Sequence, residues 1–537
     1  MKRGPYLDGE HCDVLVIGGG INGVAIAREC ARAGKRTRLV EQHDFAAGTT
    51  SRATRIIHGG LRYLEHGDIA QVRESLRERQ RLLKQYSQLV TPLEFLLTLD
   101  GASRRNALAI RAGLWFYRWL GGEKSERNTS AEAAKLERLL DHGRSVSIFS
   151  FEDAQCEFPE RLVAQWLSEA MDAGCTARNH TQVLEVERKT GKATGARLRD
   201  LLTGQEAQVE ATWVVNASGP WADRVCESSG IATGRPMVGG VRGSHIVLER
   251  FPGAPEAAIY TEGLDRRPIF VVPWNGQMLV GTTEVPDEGD PARVRPAAEE
   301  IQYLLKSLEH LFPRLPVSVA DIHFAFAGVR PLPYSPGKNA GAVSRRHYLH
   351  DHAEDGAAGL ISVIGGKLTT AASLARECAT RLGCDISSPE GVAVLPEAPL
   401  EMALVRAVAK IAEAGGIGED SAKGIVEWFG PKAHFITQLA SGQAEMRRPL
   451  CKHTSHLVAE AAYAYEHECA ASLADILLRR VPVALGACWN HECSREAAKN
   501  IRAALQWTGS QTAMELEKFE AERSNFLFQM GTAAAYR

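Results

Sequence analysis

Asp13-Val14-Leu15-Val16-Ile17-Gly18-Gly19-Gly20-Ile21-Asn22-Gly23 is the stretch that decides the fold. A short apolar strand runs into a turn with glycine at Gly18, Gly20 and Gly23, the spacing GxGxxG. Each glycine answers a steric need: a tight turn, backbone approach to a pyrophosphate, and close helix–strand contact. The helix expected next, over Val24–Ala33, offers free N–H groups and a positive dipole end to a diphosphate. A second strand is expected over Thr37–Glu41. Glu41 closes it about 20 residues on, where an acid binds a ribose hydroxyl. A glycine-rich turn without a ligand requires none of these flanking features, so the reading is a dinucleotide site.

Outward from that site, the bulk properties set limits. At 537 residues the chain exceeds a single core, and two or three domains are expected. A net charge of -2 excludes the marked basic excess of a general nucleic-acid binder. Recognition of an anion must then come from a few placed arginines and lysines. The 11 cysteines are scattered without a CxxC pair, as in a reduced cytoplasmic protein. Val14–Ile17 is too short for a signal-peptide core, and no apolar run approaches the ~18 residues of a membrane span.

Further strands are expected at Thr181–Glu187, Trp213–Asn216, Ser244–Leu248, Ile269–Pro273, Met278–Gly281, Phe324–Val329 and Leu360–Ile364. Several pair antiparallel about turns such as Asn275-Gly276, which adds an antiparallel sheet to the parallel one. After a proline-containing stretch, Ser388–Pro399, the texture turns helical. Glu460–Arg480 reads as one long amphipathic helix and Ser494–Trp507 as another.

Just past the second strand comes Ala47-Gly48-Thr49-Thr50-Ser51-Arg52-Ala53-Thr54-Arg55-Ile56-Ile57-His58-Gly59-Gly60-Leu61-Arg62-Tyr63-Leu64-Glu65, a loop dense in hydroxyls, glycines and arginines. It closely resembles the signature of FAD-dependent glycerol-3-phosphate dehydrogenases. Further matches follow in order: Asn216–Trp221, Arg242–Ile246, Val272–Trp274, Gly281–Thr283, Gly328–Leu332, Gly365–Thr370 and the tail Tyr463–Arg480. The departures are Arg55 where Lys is usual, Ser218 for Thr, Glu284 for Asp, and Ala371-Ala372 for Tyr-Arg.

The resemblance implies an α/β fold with three parts. A Rossmann-like FAD-binding domain takes residues 1–90 with 150–236 and 325–388. An antiparallel-sheet substrate cap, as in D-amino-acid oxidase, takes 91–149 with 237–324. A helical C-terminal domain takes 395–537. FAD is then expected against Gly18, Gly20, Asn22, Gly23, Glu41, Thr50, Ser51, Arg52, His58, Gly59, Gly60, Gly219, Gly366, Leu368 and Thr369. Gly365-Gly366-Lys367 is expected to close a strand, with a helix opening at Leu368 whose N–H groups face the flavin.

The implied reaction oxidises sn-glycerol 3-phosphate to dihydroxyacetone phosphate. Its near-dianionic phosphate calls for several cations, and the planar fork of arginine suits it. Arg62, Arg330, Arg345 and Lys367 are the candidates, with Arg346 a rival to Arg345 in a blurred match. His245 is the candidate proton acceptor, because an unperturbed imidazole pKa of ~6.5 suits a base at neutral pH. His58 is its rival, and Tyr63 a hydroxyl partner for substrate or flavin.

The resemblance also implies electron transfer to a quinone and peripheral contact with the inner face of the cell membrane, and admits a homodimer. Arg104–Trp119, basic and aromatic, fits a bilayer interface or a helix packed on the cap with its arginines in water. Cys451/His453, His467/Cys469 and His491/Cys493 match no zinc-finger spacing, and no metal is expected. Three other readings stay open: an oxidase that releases peroxide, a hydroxy- or amino-acid substrate, and a flavin-binding sensor without turnover.

Overall fold

A computed structural model describes residues 8–65, 67–101, 106–121, 131–140, 146–315, 317–337, 343–386 and 400–527; the side chains of Glu10, Arg62, Glu65 and residues 400–403 are outside that description. The strand Glu10–Ile17 sits inside an eight-stranded sheet. It pairs in parallel with Thr37–Val40 on one side and Glu206–Asn216 on the other. Both faces are covered, so Val14, Leu15, Val16 and Ile17 are all buried. Val14 and Val16 pack among residues of the helices Ile21–Arg32, Pro159–Asp172 and Ala371–Arg381. Leu15 and Ile17 pack among residues of the hairpin Thr181–Lys189/Lys192–Asp200 and the helix Ala222–Ser228.

The first helix begins at Ile21, three residues before the expected start. Gly23 therefore belongs to its first turn, and a Cβ there would lie 1.9 Å from the Gly18 carbonyl oxygen. The third glycine thus permits the close contact between helix and strand end.

A second, nine-stranded sheet is antiparallel except where Ala258–Glu262 runs parallel to Thr91–Asp100. The mixed-plus-antiparallel α/β architecture is the one expected. Val146–Gln155 and Ile322–Pro333, which straddle the expected domain limits, belong to this second sheet throughout. The signature loop enters it at Ile56–Ile57, paired with Val146–Gln155. Val238–Glu249 lies along Ile322–Pro333, with Gly243 opposite Gly328 and His245 opposite Phe326. This register brings two separate sequence motifs onto neighbouring strands.

The C-terminal region is helical, but the single long helix expected over Glu460–Arg480 is broken. Val458–His467 ends at Glu468, and Cys469 takes φ +58°. A new turn starts at Ser472, whose Oγ accepts from Asp475 N at 3.1 Å, and continues as a π turn over Ile476–Arg480. Glu460, Glu468, Asp475, Arg479 and Arg480 of this segment are buried rather than lined along a wet face. Glu468 pairs with Arg161, and Arg480 with Asp44. The second expected helix is present as His491–Leu505, and the linker Ser388–Pro399 lies outside the described residues.

Candidate functional site

A cavity of about 610 Å³ runs from the end of the first sheet, at Gly18, Gly20, Glu41 and His43, to the second sheet at His245, Arg330 and Lys367. At the first end the backbone is shaped by glycine. Gly18 has φ +105°, and a Cβ on it would lie 2.6 Å from the Ala217 carbonyl oxygen. Gly20 caps the first helix with no side-chain cap bond, which leaves helix N–H groups for a ligand on the cavity wall. Ile21 N is held by Thr50 Oγ1 at 3.1 Å. Asn22 donates to the Gly365 carbonyl at 3.2 Å, while its buried Oδ1 has no partner among the described residues. Glu41 Oε2 accepts from Gly19 N at 2.6 Å, and burial raises its pKa against the pull of that bond and of His43 N. The uncapped helix, the orphaned Asn22 oxygen and the acid beside Gly19 together fit a dinucleotide diphosphate and ribose.

Not every expected cofactor residue lines the cavity. Thr50, Arg52, His58, Gly219, Gly366 and Leu368 do. Ser51, Gly59, Gly60, Gly23 and Thr369 stand behind that wall. Ser51 Oγ donates to the Ala46 carbonyl at 2.6 Å, and Thr369 Oγ1 accepts from His58 N at 3.2 Å. Gly59 N donates to Asp153 at 3.1 Å. The helix expected from Leu368 begins only at Ala371. Gly365 and Gly366 hold φ of +83° and +97°, and the turn Lys367–Thr370 closes first, Thr370 N to Lys367 O at 3.2 Å.

At the other end the cavity wall is cationic. Arg330 Nη2 donates to Thr282 Oγ1 at 2.8 Å and Nη1 to the Thr283 carbonyl at 3.2 Å. A Cβ on Gly243 would lie 2.3 Å from Arg330 Nη2, so the glycine makes room for the guanidinium. Arg345 lines the same cavity and is paired with Glu284, while Arg346 is exposed and not among the lining residues. Lys367 Nζ stands 3.9 Å from the Tyr63 ring centre, and Gln71, with its amide turned to satisfy both ends, accepts from it at 2.8 Å. Arg62 lies on the same short helix as Tyr63, Leu61–Glu65; its side chain is outside the described ones.

Two of these cations hold their protons less tightly than usual. Burial, then repulsion by Arg345, pushes Lys367 down to about 7. The same two causes in the same order bring Arg330 down to about 10. Such a cluster is costly to bury without an anion.

His245 is buried, stacked on Phe326 at 5.2 Å between ring centres, and its Nε2 lies 2.9 Å from Thr54 Oγ1. Its Nδ1 is buried without a partner among the described residues. Its pKa is not the unperturbed one expected of a base at neutral pH. Burial, helped by Arg330 and Arg55, lowers it to about 3. His58 falls to about 3 as well, through burial, Lys367 and Arg345. Both imidazoles are neutral hydrogen-bonding groups.

Sequence reasoning missed several partners. Thr54 and Glu284 sit inside quoted motifs, yet their mates lie 191 and 61 residues away. Arg55 is fully buried in a bidentate pair with Glu160, its guanidinium 4.5 Å from the Trp274 ring centre. That accounts for an arginine where lysine is usual, since the planar fork matches the carboxylate and stacks on the indole. Arg52 lies 3.6 Å over Phe526 of the C-terminal region, a contact without a sequence signal.

Known proteins resemble this arrangement throughout. Residues 13–372 match the family model described as FAD dependent oxidoreductase, and residues 365–512 that of the C-terminal domain of alpha-glycerophosphate oxidase. A glycerol-3-phosphate dehydrogenase of Synechocystis sp. is 34% identical, with 97% of each chain covered. A D-erythritol 1-phosphate dehydrogenase of Brucella abortus is 35% identical over 70% of this chain and 74% of its own. Among solved structures, the glycerol-3-phosphate dehydrogenase from Bacillus halodurans complexed with FAD covers 97% of both chains at a TM-score of 0.76 and 24% identity.

Proposed function

We propose, for a chain that belongs to the family of FAD-dependent glycerol-3-phosphate dehydrogenases, that it oxidises sn-glycerol 3-phosphate to dihydroxyacetone phosphate and passes the electrons to a membrane quinone. The observation that carries this reading is the group of Arg330, Arg345 and Lys367 at one end of a cavity whose other end is built for a dinucleotide. The lowered proton affinities of Arg330 and Lys367 are the mark of a site that gains stability when a dianion enters.

FAD, when bound, supplies the hydride acceptor. The chain's own part is to hold the phosphate on fixed cations and to orient the C2 hydroxyl. Binding at a remote group then serves positioning at the reacting carbon. His245, kept neutral by burial, offers a lone pair. With Nε2–H donated to Thr54, Nδ1 is free to accept from the substrate hydroxyl. The hydroxyl proton leaves toward that nitrogen, whose basicity rises once the dianion offsets Arg330. Tyr63 holds the Lys367 ammonium over its ring and fixes one cation in place.

The test is anaerobic titration of the yellow holoenzyme with sn-glycerol 3-phosphate. Bleaching of the flavin band is expected. A band that survives the phosphoester, or that bleaches equally with a phosphate-free hydroxy acid, overturns the reading. The relative named for D-erythritol 1-phosphate supports a second substrate, a longer polyol phosphate held by the same cations. A higher kcat/KM for the four-carbon ester would select it. Peroxide release in step with turnover would replace the quinone by oxygen.

Among the described residues no helix is long and apolar enough to cross a membrane. The contact proposed with the inner face of the cell membrane is a peripheral one.

A further inference from the structure

Tyr348–Asp351 is an edge strand of the first sheet and runs antiparallel to Leu360–Ile364. Residues two apart on a strand share a face, and His352 extends the strand by donating its N–H to the Leu360 carbonyl at 3.1 Å. His350 and His352 therefore lie side by side, edge to face, with ring centres 4.5 Å apart. A tight turn follows, in which Asp355 N donates to the His352 carbonyl at 3.1 Å and Ala357 N to the same oxygen at 2.9 Å. The turn returns the Asp355 carboxylate to the two rings.

His350 Nε2 lies 2.7 Å and His352 Nδ1 2.8 Å from one oxygen, Asp355 Oδ2. Two imidazole nitrogens and a carboxylate oxygen thus converge within 4.8 Å of one another. Among the described residues no lysine or arginine pairs with Asp355. Asp44, His180 and Asp475 converge as closely, but Arg479 and Arg480 already neutralise them. Acids at Asp351, Glu354 and Asp355 give the turn a field that draws cations.

One ring is oriented from behind. His352 is fully buried, its Nε2 lies 2.8 Å from Ser362 Oγ, and Asn216 Nδ2 donates to that hydroxyl at 3.1 Å. Asn216 is itself fixed, donating to the Ala222 carbonyl at 2.9 Å and accepting from Ser218 Oγ at 2.6 Å. An outer bond of this kind sets the ring and tautomer of a metal-binding histidine. With Nε2–H given to Ser362, the Nδ1 lone pair faces the Asp355 carboxylate, and a cation between them turns repulsion into two bonds.

The His350 side chain is 32% exposed and that of Asp355 16%, so water reaches the open side. Two imidazoles, a carboxylate and a water make the tetrahedral set of zinc and its neighbours, whereas calcium and magnesium take oxygen alone. Bonds of about 2.0–2.1 Å place tetrahedral ligand atoms about 3.3 Å apart. The group must then open by about half an ångström, and the partly exposed His350 is free to move.

We infer that His350, His352 and Asp355 form a site for one divalent cation of the zinc class. It lies outside the cavity, in a hairpin that carries Arg345 three residues before Tyr348 and Lys367 three residues after Ile364. An ion here ties the strand to its turn. The site stands apart from the substrate and electron-acceptor readings, and neither decides its fate.

The experiment is calorimetric titration of the FAD-loaded protein with Zn²⁺, after chelator treatment and dialysis, at about pH 7.5, where imidazoles are neutral. One ion per chain is expected to bind. His350→Asn should weaken that binding by about 100-fold or more, since loss of an outer partner alone costs about 10- to 100-fold. Saturating Zn²⁺ should raise the melting temperature of the wild type and leave that of His350→Asn unmoved. Cys488→Ser, which removes a thiol on the surface, should bind like the wild type. The inference is overturned if the wild type takes up no ion, or if His350→Asn binds as tightly, because the three side chains are then a turn held by protons alone. Loss of binding in Cys488→Ser overturns it too, by placing the ion at that thiol.

Discussion

The Lys367 ammonium sits 3.9 Å from the centre of the Tyr63 ring, inside a cavity it shares with Arg345 and Arg330. Aromatic and amide contacts hold the cation, but neither cancels its charge. Burial and Arg345 leave it at about 7. Below that pH the lysine already carries its proton. Above it, binding of a phosphate dianion must draw a proton in, so affinity falls as pH rises, by about tenfold per unit until the pKa of the complex is reached. The phosphate's own second ionisation near ~6 opposes this at lower pH, and the tightest binding is expected between the two. Calorimetry at pH 8 in two buffers of different ionisation heat should register proton uptake. Lys367→Met should abolish it, and equal uptake in that variant would place the titrating group elsewhere.

Arg330 is positioned by a residue that has no side chain. Gly243 leaves the space that the guanidinium fills, with a hypothetical Cβ 2.3 Å from Nη2. Arg330→Ala should raise KM by ~10² to 10³, the cost of losing two charge-assisted bonds. Gly243→Ala should raise KM in the same direction by displacing the fork, with the flavin spectrum intact in both variants. Steady-state kinetics beside an absorption spectrum checks this. Normal KM in Arg330→Ala would put the phosphate elsewhere.

The parts of the site legible in sequence are those fixed by local sterics or by motif. Gly18 and Gly23 announce the dinucleotide turn because a Cβ at either would run into the backbone of Ala217 or Gly18. Arg330 and Lys367 stand in motifs that the register of two long strands and one turn brings to the same cavity, which Arg345 joins from a blurred match. Long-range partnership was not legible. Nothing local says that Thr54 faces His245 across 191 residues, or that Arg55 finds Glu160. The division of Glu460–Arg480 was hidden for a related reason. Its spacing is helical, but Glu468 and Arg480 are consumed by the buried partners Arg161 and Asp44 on the first domain. The imidazole pKa of His245 depends on burial, which periodicity alone does not report.

His245 should show no ionisation of its own near ~6.5 in the free enzyme, because burial and Arg330 hold it near 3. The acid side of the kcat/KM profile should then lack a limb attributable to this ring between pH 5 and 7. His245→Asn should lower kcat by ~10² to 10⁴, the range of a lost acid–base group. An acid limb near 6.5 that disappears in His245→Asn would mean that the ring is solvated and charged as in water.

Asp44 ties the flavin loop to the C-terminal region. Arg480 donates to it from Nη1 and Nη2 at 2.8 Å each, and Arg479 from Nε. All three are buried, and Asp44 itself lines the cavity three residues past Glu41. Arg480→Met removes a fork and leaves a buried carboxylate partly unpaired, at a cost of roughly 3 to 5 kcal/mol. Because the damaged acid belongs to the cofactor loop, FAD should dissociate faster in this variant as well as the melting temperature falling. Arg480→Lys restores charge but not the two-pronged geometry, so it should recover part of the stability and little of the FAD retention. Thermal melting followed by both tryptophan and flavin fluorescence separates the two effects. A variant that melts early yet releases FAD at the wild-type rate below its transition would show that the tie supports the fold without shaping the cofactor loop.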